Sequence, residues 1–266
     1  MSLTKETPTR SGAIDATSSG KQVPAEPAAP MTLEGLGRAL PGKLVVTANA
    51  QPGPVEQYRK LAATLHQAQA STGIKVVMVA SALAGEGKTL TATNLALTFS
   101  ESYHRRVLLI DADLRRPTVH EVFQLPNFTG LNDGLKASEE WKPPLFEISP
   151  RLSVLTAGRP NPDPMSGLAS DRMRSVIRRG AASFDWVIVD TPPVGLLPDA
   201  NLLAAMVDGV VLIISAGKTP YKLLERAVEA LGRDRILGVV LNRVDQSILK
   251  SGYGYYTYYG YEVEDR

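Results

Sequence analysis

Short runs of apolar, often β-branched residues recur along the chain between positions 75 and 242. Six runs have this character: KVVMVAS at 75–81, RVLLIDAD at 106–113, LSVLTAG at 152–158, WVIVDTPP at 186–193, GVVLIIS at 209–215 and ILGVVLN at 236–242. Nearly all are apolar at successive positions, and helical patterns separate them, which is typical of parallel strands covered on both faces. The pattern predicts an α/β fold with a doubly wound, mostly parallel sheet.

The segments that flank this pattern set the predicted domain boundaries. Residues 54–70, PVEQYRKLAATLHQAQA, have a helical stripe at Val55, Tyr58, Leu61, Ala62 and Leu65. Residues 1–42 are rich in Ser, Thr, Ala and Pro without sustained periodicity, and the last 16 residues leave the α/β pattern. We therefore expect a disordered N-terminal tail over 1–42, a folded domain over 43–250 and a flexible tail over 251–266.

Composition narrows the classes of function. The 266 residues are 44% hydrophobic, which allows one substantial core. A formal net charge of +2 gives no strong field for nucleic acid, and the absence of cysteine excludes disulfides, thiolate metal sites and a cysteine nucleophile. The first 20 residues lack the apolar core of a signal peptide, and no stretch has the roughly 20 apolar residues of a spanning helix. We expect a cytoplasmic protein without a nucleic-acid partner.

A glycine-rich turn, SALAGEGKT at 81–89, joins the first strand to a helix that starts near Lys88. Such a loop turns backbone N–H groups towards phosphates, and the helix N-terminus adds partial positive charge. Lys88 would reach the β- and γ-phosphates of ATP, and Thr89 would bind Mg²⁺. The alternative is a tight turn with a solvated lysine. The residues predicted to contact the nucleotide are Ala84, Gly85, Glu86, Gly87, Lys88, Thr89 and Leu90.

Acidic residues follow two of the predicted strands. Asp111 and Asp113 lie two apart at the end of one strand, and so on one side if the strand continues, while Asp190 ends another. Ligands of open α/β sheets bind outside the carboxyl ends of the strands, so these acids are expected to converge on the phosphates and the metal. Taken singly, each acid could instead cap a helix or stabilise a turn.

Three motifs, ASALAGEGKT, VLLIDADLRRP and VIVDTPP, together resemble the Walker A, A′ and B motifs of the bacterial tyrosine kinases of polysaccharide export systems. The resemblance runs from about residue 44 to 261 and includes GRPNPDP at 158–164. It implies a P-loop NTPase fold, with Asp111 and Asp113 near Mg²⁺ and the attacking tyrosine, Asp111 as the better base, and Asp190 holding Mg²⁺ through water. It also implies that Asn242 lies near the adenine; on the residues alone, Asn242 is equally a turn residue.

A second class shares this nucleotide site, the partitioning and septum-positioning ATPases. These proteins have a signature lysine five residues before the loop lysine, where this chain has Leu83. The substitution argues against this class. A non-catalytic nucleotide switch nevertheless remains the alternative to a kinase.

Other positions depart from the tyrosine-kinase pattern. The family's assembly helix carries a glutamate and two arginines at three-residue spacing, whereas this chain has Glu56, Arg59 and Ala62. We expect self-association through this helix to be weak. Many relatives have an arginine at the position of Ser215, and the pattern does not indicate whether Lys218 replaces it.

The C-terminal segment is unusually rich in tyrosine. Six of the nine tyrosines fall in the last 14 residues: Tyr253, Tyr255, Tyr256, Tyr258, Tyr259 and Tyr261. Alone, this segment would suggest a low-complexity aromatic tail. Beside a phosphate loop, it indicates autophosphorylation, most effectively between subunits. The resemblance further implies control of exopolysaccharide or capsule polymerisation and export. It implies a separate membrane adaptor of the polysaccharide co-polymerase type that recruits the kinase to the inner face of the membrane. It also implies a counteracting phosphatase.

Overall fold

A computed structural model describes residues 43–46, 50–137, 139, 141–195 and 198–245. The proposed tails at 1–42 and 251–266 lie outside these residues, so the domain boundaries and the six tail tyrosines stay predictions. Within the described part of the chain, no helix is long and apolar enough to cross a membrane.

The centre of the molecule is a seven-stranded sheet in the order β3-β4-β2-β5-β1-β6-β7. Every pairing is parallel except that of β3 with β4. The strands are β1 (Val76–Ser81), β2 (Val107–Asp111), β3 (Leu145–Ser149), β4 (Leu152–Leu155), β5 (Trp186–Asp190), β6 (Gly209–Ser215) and β7 (Ile236–Asn242). The mostly parallel, doubly wound fold predicted from the sequence is confirmed.

One helix precedes the first strand in sequence, and the other helices lie between strands. The helices are α1 (Pro52–Thr72), α2 (Lys88–Leu97), α3 (Val119–Phe123), α4 (Leu131–Lys136), α5 (Met165–Leu168), α6 (Asp171–Ser183), α7 (Asp199–Ala204) and α8 (Tyr221–Leu231). A π-helical turn (Thr98–Ser102) continues α2, and a short 3₁₀ turn (Arg233–Arg235) precedes β7.

Successive residues of the inner strands enter two separate cores. In β1, Val76 and Met78 belong to one buried cluster, and Val77 and Val79 belong to the other. All six residues of β1 are buried. This burial on both faces explains why the inner strands are apolar at every position.

The outer strands differ from the prediction. All six predicted runs form strands, but the sequence did not predict β3, because this edge strand buries only Ile148 and leaves Leu145 and Glu147 exposed. The apolar pattern of β7 suggested burial on both faces, and this was wrong for the part of the chain that the structure describes. As an edge strand, β7 leaves Val239 51% and Leu241 53% exposed.

Helix α1 has the apolar stripe that the sequence predicted. Ala62 and Leu65 are buried in one of the two cores, with 0% and 3% exposure. Glu56 and Arg59 form an exposed ion pair, with 2.7 Å between Arg59 Nη1 and Glu56 Oε1. Position 62 therefore faces the core of its own subunit and does not extend the exposed face formed by Glu56 and Arg59.

The carboxyl ends of the parallel strands meet at one edge of the sheet. Asp111 at the end of β2 pairs in register with Asp190 at the end of β5, and Ser215 of β6 pairs with Asn242 of β7. Strand β1, between β5 and β6, ends at Ser81 and leads into the glycine-rich turn. The topology therefore brings three separated motifs to one place.

Candidate active site

The glycine-rich turn adopts backbone conformations that favour glycine. Gly85 and Gly87 have φ values of 77° and 97°, in the left-handed region. At Gly87 a Cβ atom would also lie 2.3 Å from Asn242 Nδ2, closer than any side chain allows. The turn ends where α2 begins at Lys88, as the sequence predicted.

Lys88 contacts two of the predicted carboxylates. Its Nζ lies 3.0 Å from Asp113 Oδ2 and 3.7 Å from Asp190 Oδ1. Burial lowers the pKa of the Lys88 ammonium, but neighbouring carboxylates outweigh burial and raise this pKa above its usual value; they are Asp190, Asp113 and Asp111. The lysine is therefore held in its charged form, which suits the binding of phosphate.

Thr89 and Asp190 form a polar pair at the start of α2. The Thr89 hydroxyl donates to Asp190 Oδ2 at 2.6 Å. The Thr118 hydroxyl lies 3.1 Å from the Thr89 hydroxyl. Asp190 is fully buried, and its Oδ1 accepts no hydrogen bond from the described residues. Burial raises the pKa of the Asp190 carboxyl, because the ionised form is poorly solvated there.

Asp111 is fully buried and is held by backbone N–H groups. Its Oδ2 accepts from the N–H groups of Thr118 and Val119 at 3.2 and 3.0 Å, where α3 begins, and its Oδ1 accepts from Asp113 N–H at 3.2 Å. Burial, and next the charge of Asp190, raise the pKa of the Asp111 carboxyl well above its usual value. Such a carboxylate accepts a proton more readily than an exposed one.

Asp113 reaches the site by a different route from the expected one. Strand β2 ends at Asp111, so the two acids are not alternate residues of one strand as the sequence suggested. A turn directs Asp113 towards Lys88 instead, and Asp113 Oδ1 accepts from Arg116 N–H at 3.1 Å. The structure thus brings together Lys88, Thr89, Asp111, Asp113 and Asp190.

Two other predicted residues have their side chains engaged within the protein. Asn242 donates from Nδ2 to the carbonyl oxygen of Glu86 at 2.8 Å and accepts from Arg243 N–H at 2.9 Å. Its contact with adenine stays a prediction. Glu86 is buried, with 3% residue exposure, and its carboxylate accepts a hydrogen bond from Leu83 N–H. Ala84 and Gly85 are exposed at the tip of the turn, and Leu90 is partly buried in the first turn of α2.

An ion pair close to the site was not predicted from the sequence. Arg115 Nε lies 2.6 Å from Asp199 Oδ2, and Arg115 Nη2 lies 3.2 Å from Asp199 Oδ1. Asp199 is fully buried at the start of α7. From the sequence alone, Asp199 is an ordinary acidic residue in the first turn of a helix. Only the fold places it opposite Arg115.

The residues of this site fit a magnesium ion that is shared with phosphates. A threonine hydroxyl beside a carboxylate supplies the hard oxygen atoms that Mg²⁺ prefers. Asp190 Oδ1, which accepts no hydrogen bond from the described residues, is an additional acceptor. Among the described residues, no three acidic or histidine side chains are arranged to hold a metal by themselves. Mg²⁺ usually takes one or two protein ligands and completes its shell with water and substrate phosphates.

Comparison with known proteins first defines the class. Residues 77–253 match the family described as the CobQ/CobB/MinD/ParA nucleotide binding domain. The solved Pyrococcus furiosus cell division ATPase MinD shares 22% identity, with a TM-score of 0.54 over 65% of this chain and 73% of that chain. That likeness shows the fold alone. The protein therefore has a nucleotide-binding domain of this class.

Closer relatives define the family. The chain is 41% identical over 204 residues to tyrosine-protein kinase YwqD of Bacillus subtilis, covering 76% of this chain and 85% of YwqD. The solved kinase domain of Escherichia coli tyrosine kinase ETK is 31% identical, with a TM-score of 0.66 over 72% of this chain and 77% of that chain. The succinoglycan biosynthesis transport protein ExoP of Rhizobium meliloti is 32% identical over 73% of this chain and 25% of its own length.

The chain belongs to the bacterial tyrosine-protein kinase family, as its three motifs suggested. Its enzyme class is that of a protein-tyrosine kinase. The alternative of a partitioning or septum-positioning ATPase is not favoured.

Proposed function

We propose that this protein uses Mg²⁺ and ATP to phosphorylate the tyrosines of its own C-terminal segment. The observation that carries the proposal is the group formed by the buried Lys88, Asp113 and Asp190 with the partly buried Thr89, which meets the glycine-rich turn at the carboxyl edge of the sheet. Phosphoryl transfer depends mainly on positioning and charge stabilisation, and this group supplies both.

The residues of the glycine-rich turn would bind the nucleotide. Backbone N–H groups from Ala84 to Leu90 would surround the phosphates, and Lys88 would exchange its contact with Asp113 for contact with phosphate oxygens. Thr89 and Asp190 would hold Mg²⁺, the latter through water, with Asp111 and Asp113 close to it. The ion, when bound, neutralises charge that develops on the transferred phosphoryl group.

Asp111 is the proposed general base. As the tyrosine oxygen bonds to the γ-phosphorus and ADP leaves, the phenolic proton passes to a carboxylate. The pKa of Asp111, raised by burial, favours this transfer, and Asp111 Oδ1 accepts a single backbone hydrogen bond, which leaves a lone pair for the proton.

The acceptors are the six tyrosines of the C-terminal segment, and the transfer occurs between subunits. Each added phosphate brings about −1.5 to −2 charge and would separate phosphorylated copies by repulsion. In this setting the kinase acts in the cytoplasm on capsule or exopolysaccharide polymerisation and export. A separate membrane adaptor would recruit it, and a phosphatase would reverse the modification.

Incubation with γ-labelled ATP and Mg²⁺ tests the proposal. We expect label on tyrosine that depends on Mg²⁺ and survives removal of free nucleotide. Release of inorganic phosphate without labelled protein would instead support an ATPase switch and contradict the proposal.

A further inference from the structure

The glycine-rich turn contains a buried carboxylate, that of Glu86. Glu86 lies between Gly85 and Gly87, and its residue exposure is 3%. A negative charge in an anion-binding loop opposes phosphate unless it faces away and is satisfied by hydrogen-bond donors. The contacts of Glu86 meet that condition.

The two carboxylate oxygens of Glu86 join separate parts of the chain. Oε2 accepts from Leu83 N–H at 2.8 Å, at the beginning of the glycine-rich turn. Oε1 accepts from Ser215 N–H at 3.3 Å, at the end of β6, and from the Thr219 hydroxyl in the turn that follows. The side chain therefore fastens the glycine-rich turn to the turn between β6 and α8.

The backbone of the same residue is fastened to a third element. The Glu86 carbonyl accepts from Asn242 Nδ2 at 2.8 Å, at the end of β7. A Cβ atom at Gly87 would displace Asn242 Nδ2 and so disturb this hydrogen bond. We call the group of Leu83, Glu86, Ser215, Thr219 and Asn242 the loop clamp.

We propose that Glu86 is a positioning residue of the nucleotide site, and that the loop clamp holds the backbone N–H groups of the turn in place for the phosphates. The inference rests on the proposed nucleotide site. A turn held in advance loses less conformational entropy when it binds its ligand, so the clamp contributes to nucleotide affinity. It acts on binding, because the Glu86 side chain bonds to Leu83, Ser215 and Thr219, and none of these belongs to the group around Lys88 that is proposed to perform the transfer.

The Glu86→Gln variant tests this role at nearly constant size. Its amide nitrogen must face a donor, either Leu83 N–H or the pair of donors at Ser215 and Thr219, so at least one contact is lost. We expect the dissociation constant for Mg²⁺-ADP, measured by calorimetry on the full chain, to rise about tenfold, as expected for one hydrogen bond to a charged group. The KM for ATP should rise similarly, while kcat at saturating ATP should stay within about twofold.

Thr219 provides a matched pair of variants. Thr219→Val removes the hydroxyl that donates to Glu86 and should weaken Mg²⁺-ADP binding, whereas Thr219→Ser keeps the hydroxyl and should restore it. An unchanged dissociation constant and KM in Glu86→Gln would overturn the inference, even if the melting temperature of the nucleotide-free variant fell. A loss in kcat alone would also overturn it. A wild-type chain that binds no Mg²⁺-ADP would instead overturn the proposed nucleotide site itself.

Discussion

Lys88 neutralises buried carboxylates, and it is also the residue proposed to contact the phosphate oxygens. It contacts Asp113 and Asp190, whose exposures are 4% and 0%. In Lys88→Met these carboxylates lose their cation, and the removal of one partner from a buried pair typically costs about 3–5 kcal/mol. We expect no detectable phosphotyrosine, together with a lower free energy of unfolding without nucleotide. Immunoblotting and chemical denaturation would measure the two effects.

Lys142 is a matched control for this substitution, because it is an exposed lysine in the loop before β3, away from the site. Lys142→Met should keep both stability and phosphorylation close to wild type. Undiminished phosphotyrosine in Lys88→Met would contradict the assignment of the phosphate-binding lysine.

The raised pKa of the Asp111 carboxyl predicts that the stability of the metal-free protein depends on pH. Burial raises the pKa of its carboxyl in the folded state, so folding favours the protonated form, and ionisation at neutral pH lowers stability. Asp111→Asn cannot ionise. The melting temperature of the variant, measured in EDTA, should therefore increase relative to that of the wild type as the pH rises from acid to neutral. A difference that stays constant with pH would contradict a raised pKa, and the variant should lack kinase activity throughout.

At the scale of elements, the ion pair of Arg115 with Asp199 joins the turn after β2 to α7. Arg115 lies two residues beyond Asp113, so the pair constrains the turn that presents Asp113 to Lys88. Arg115→Ala would leave the fully buried Asp199 carboxylate without this partner, at a cost of about 2 kcal/mol in unfolding free energy. We also expect a lower kcat, measured as the rate of phosphotyrosine formation at saturating ATP.

Arg116→Ala is the control for Arg115→Ala. The Arg116 side chain is exposed, and its contact with Asp113 comes from the backbone N–H, which the substitution keeps. Equal denaturation midpoints and equal rates in the two variants would show that the ion pair does not position the turn.

The elements that the sequence predicted best are those whose environment is uniform. The inner strands are buried on both faces, so continuous apolar runs identify them. Strand β3 buries only Ile148, so its sequence has no continuous apolar run and its pattern resembles that of a loop. Strand β7 has the apolar composition of an inner strand, and only the order of the strands shows that it lies at the edge. Periodicity reports local burial, but strand order depends on long-range pairing.

The site was predictable to the extent that its residues belong to contiguous motifs. Lys88, Thr89 and the three aspartates follow from spacing and from the rule that ligands bind at the carboxyl ends of strands. The contacts of Glu86 with Ser215, of Asn242 with Glu86 and of Asp199 with Arg115 were not predictable, because more than 80 residues of chain separate the partners in each pair.

At the scale of the whole molecule, the surface of α1 offers little for assembly. The exposed pair of Glu56 and Arg59 is worth about 0.2–1 kcal/mol at most, and Ala62 is turned into the core. We predict that the isolated, unphosphorylated chain is mainly monomeric at low micromolar concentration. Light scattering checks this, and a stable ring at that concentration would contradict it.

Transfer between subunits follows from the same picture. Phosphotyrosine formed per chain should rise with protein concentration, because two copies must meet. A chain that ends at residue 250 should also phosphorylate the Lys88→Met chain, which keeps its tyrosines but lacks activity. Labelling that is independent of concentration, with no transfer in the mixture, would exclude a reaction between subunits.

The most direct test of the central claim is to map the phosphates by tandem mass spectrometry after incubation with Mg²⁺ and ATP. Of the three tyrosines outside the tail, Tyr58 and Tyr103 are partly buried, and Tyr221 is 73% exposed. Because Tyr221 is exposed but lies outside the C-terminal segment, it is an internal control for phosphorylation that depends on exposure alone. We predict phosphate on the C-terminal group, Tyr253 to Tyr261, in the wild type, little on Tyr221, and none anywhere in Lys88→Met. An unmodified C-terminal group in a chain that hydrolyses ATP, or phosphate confined to Tyr221, would contradict the account.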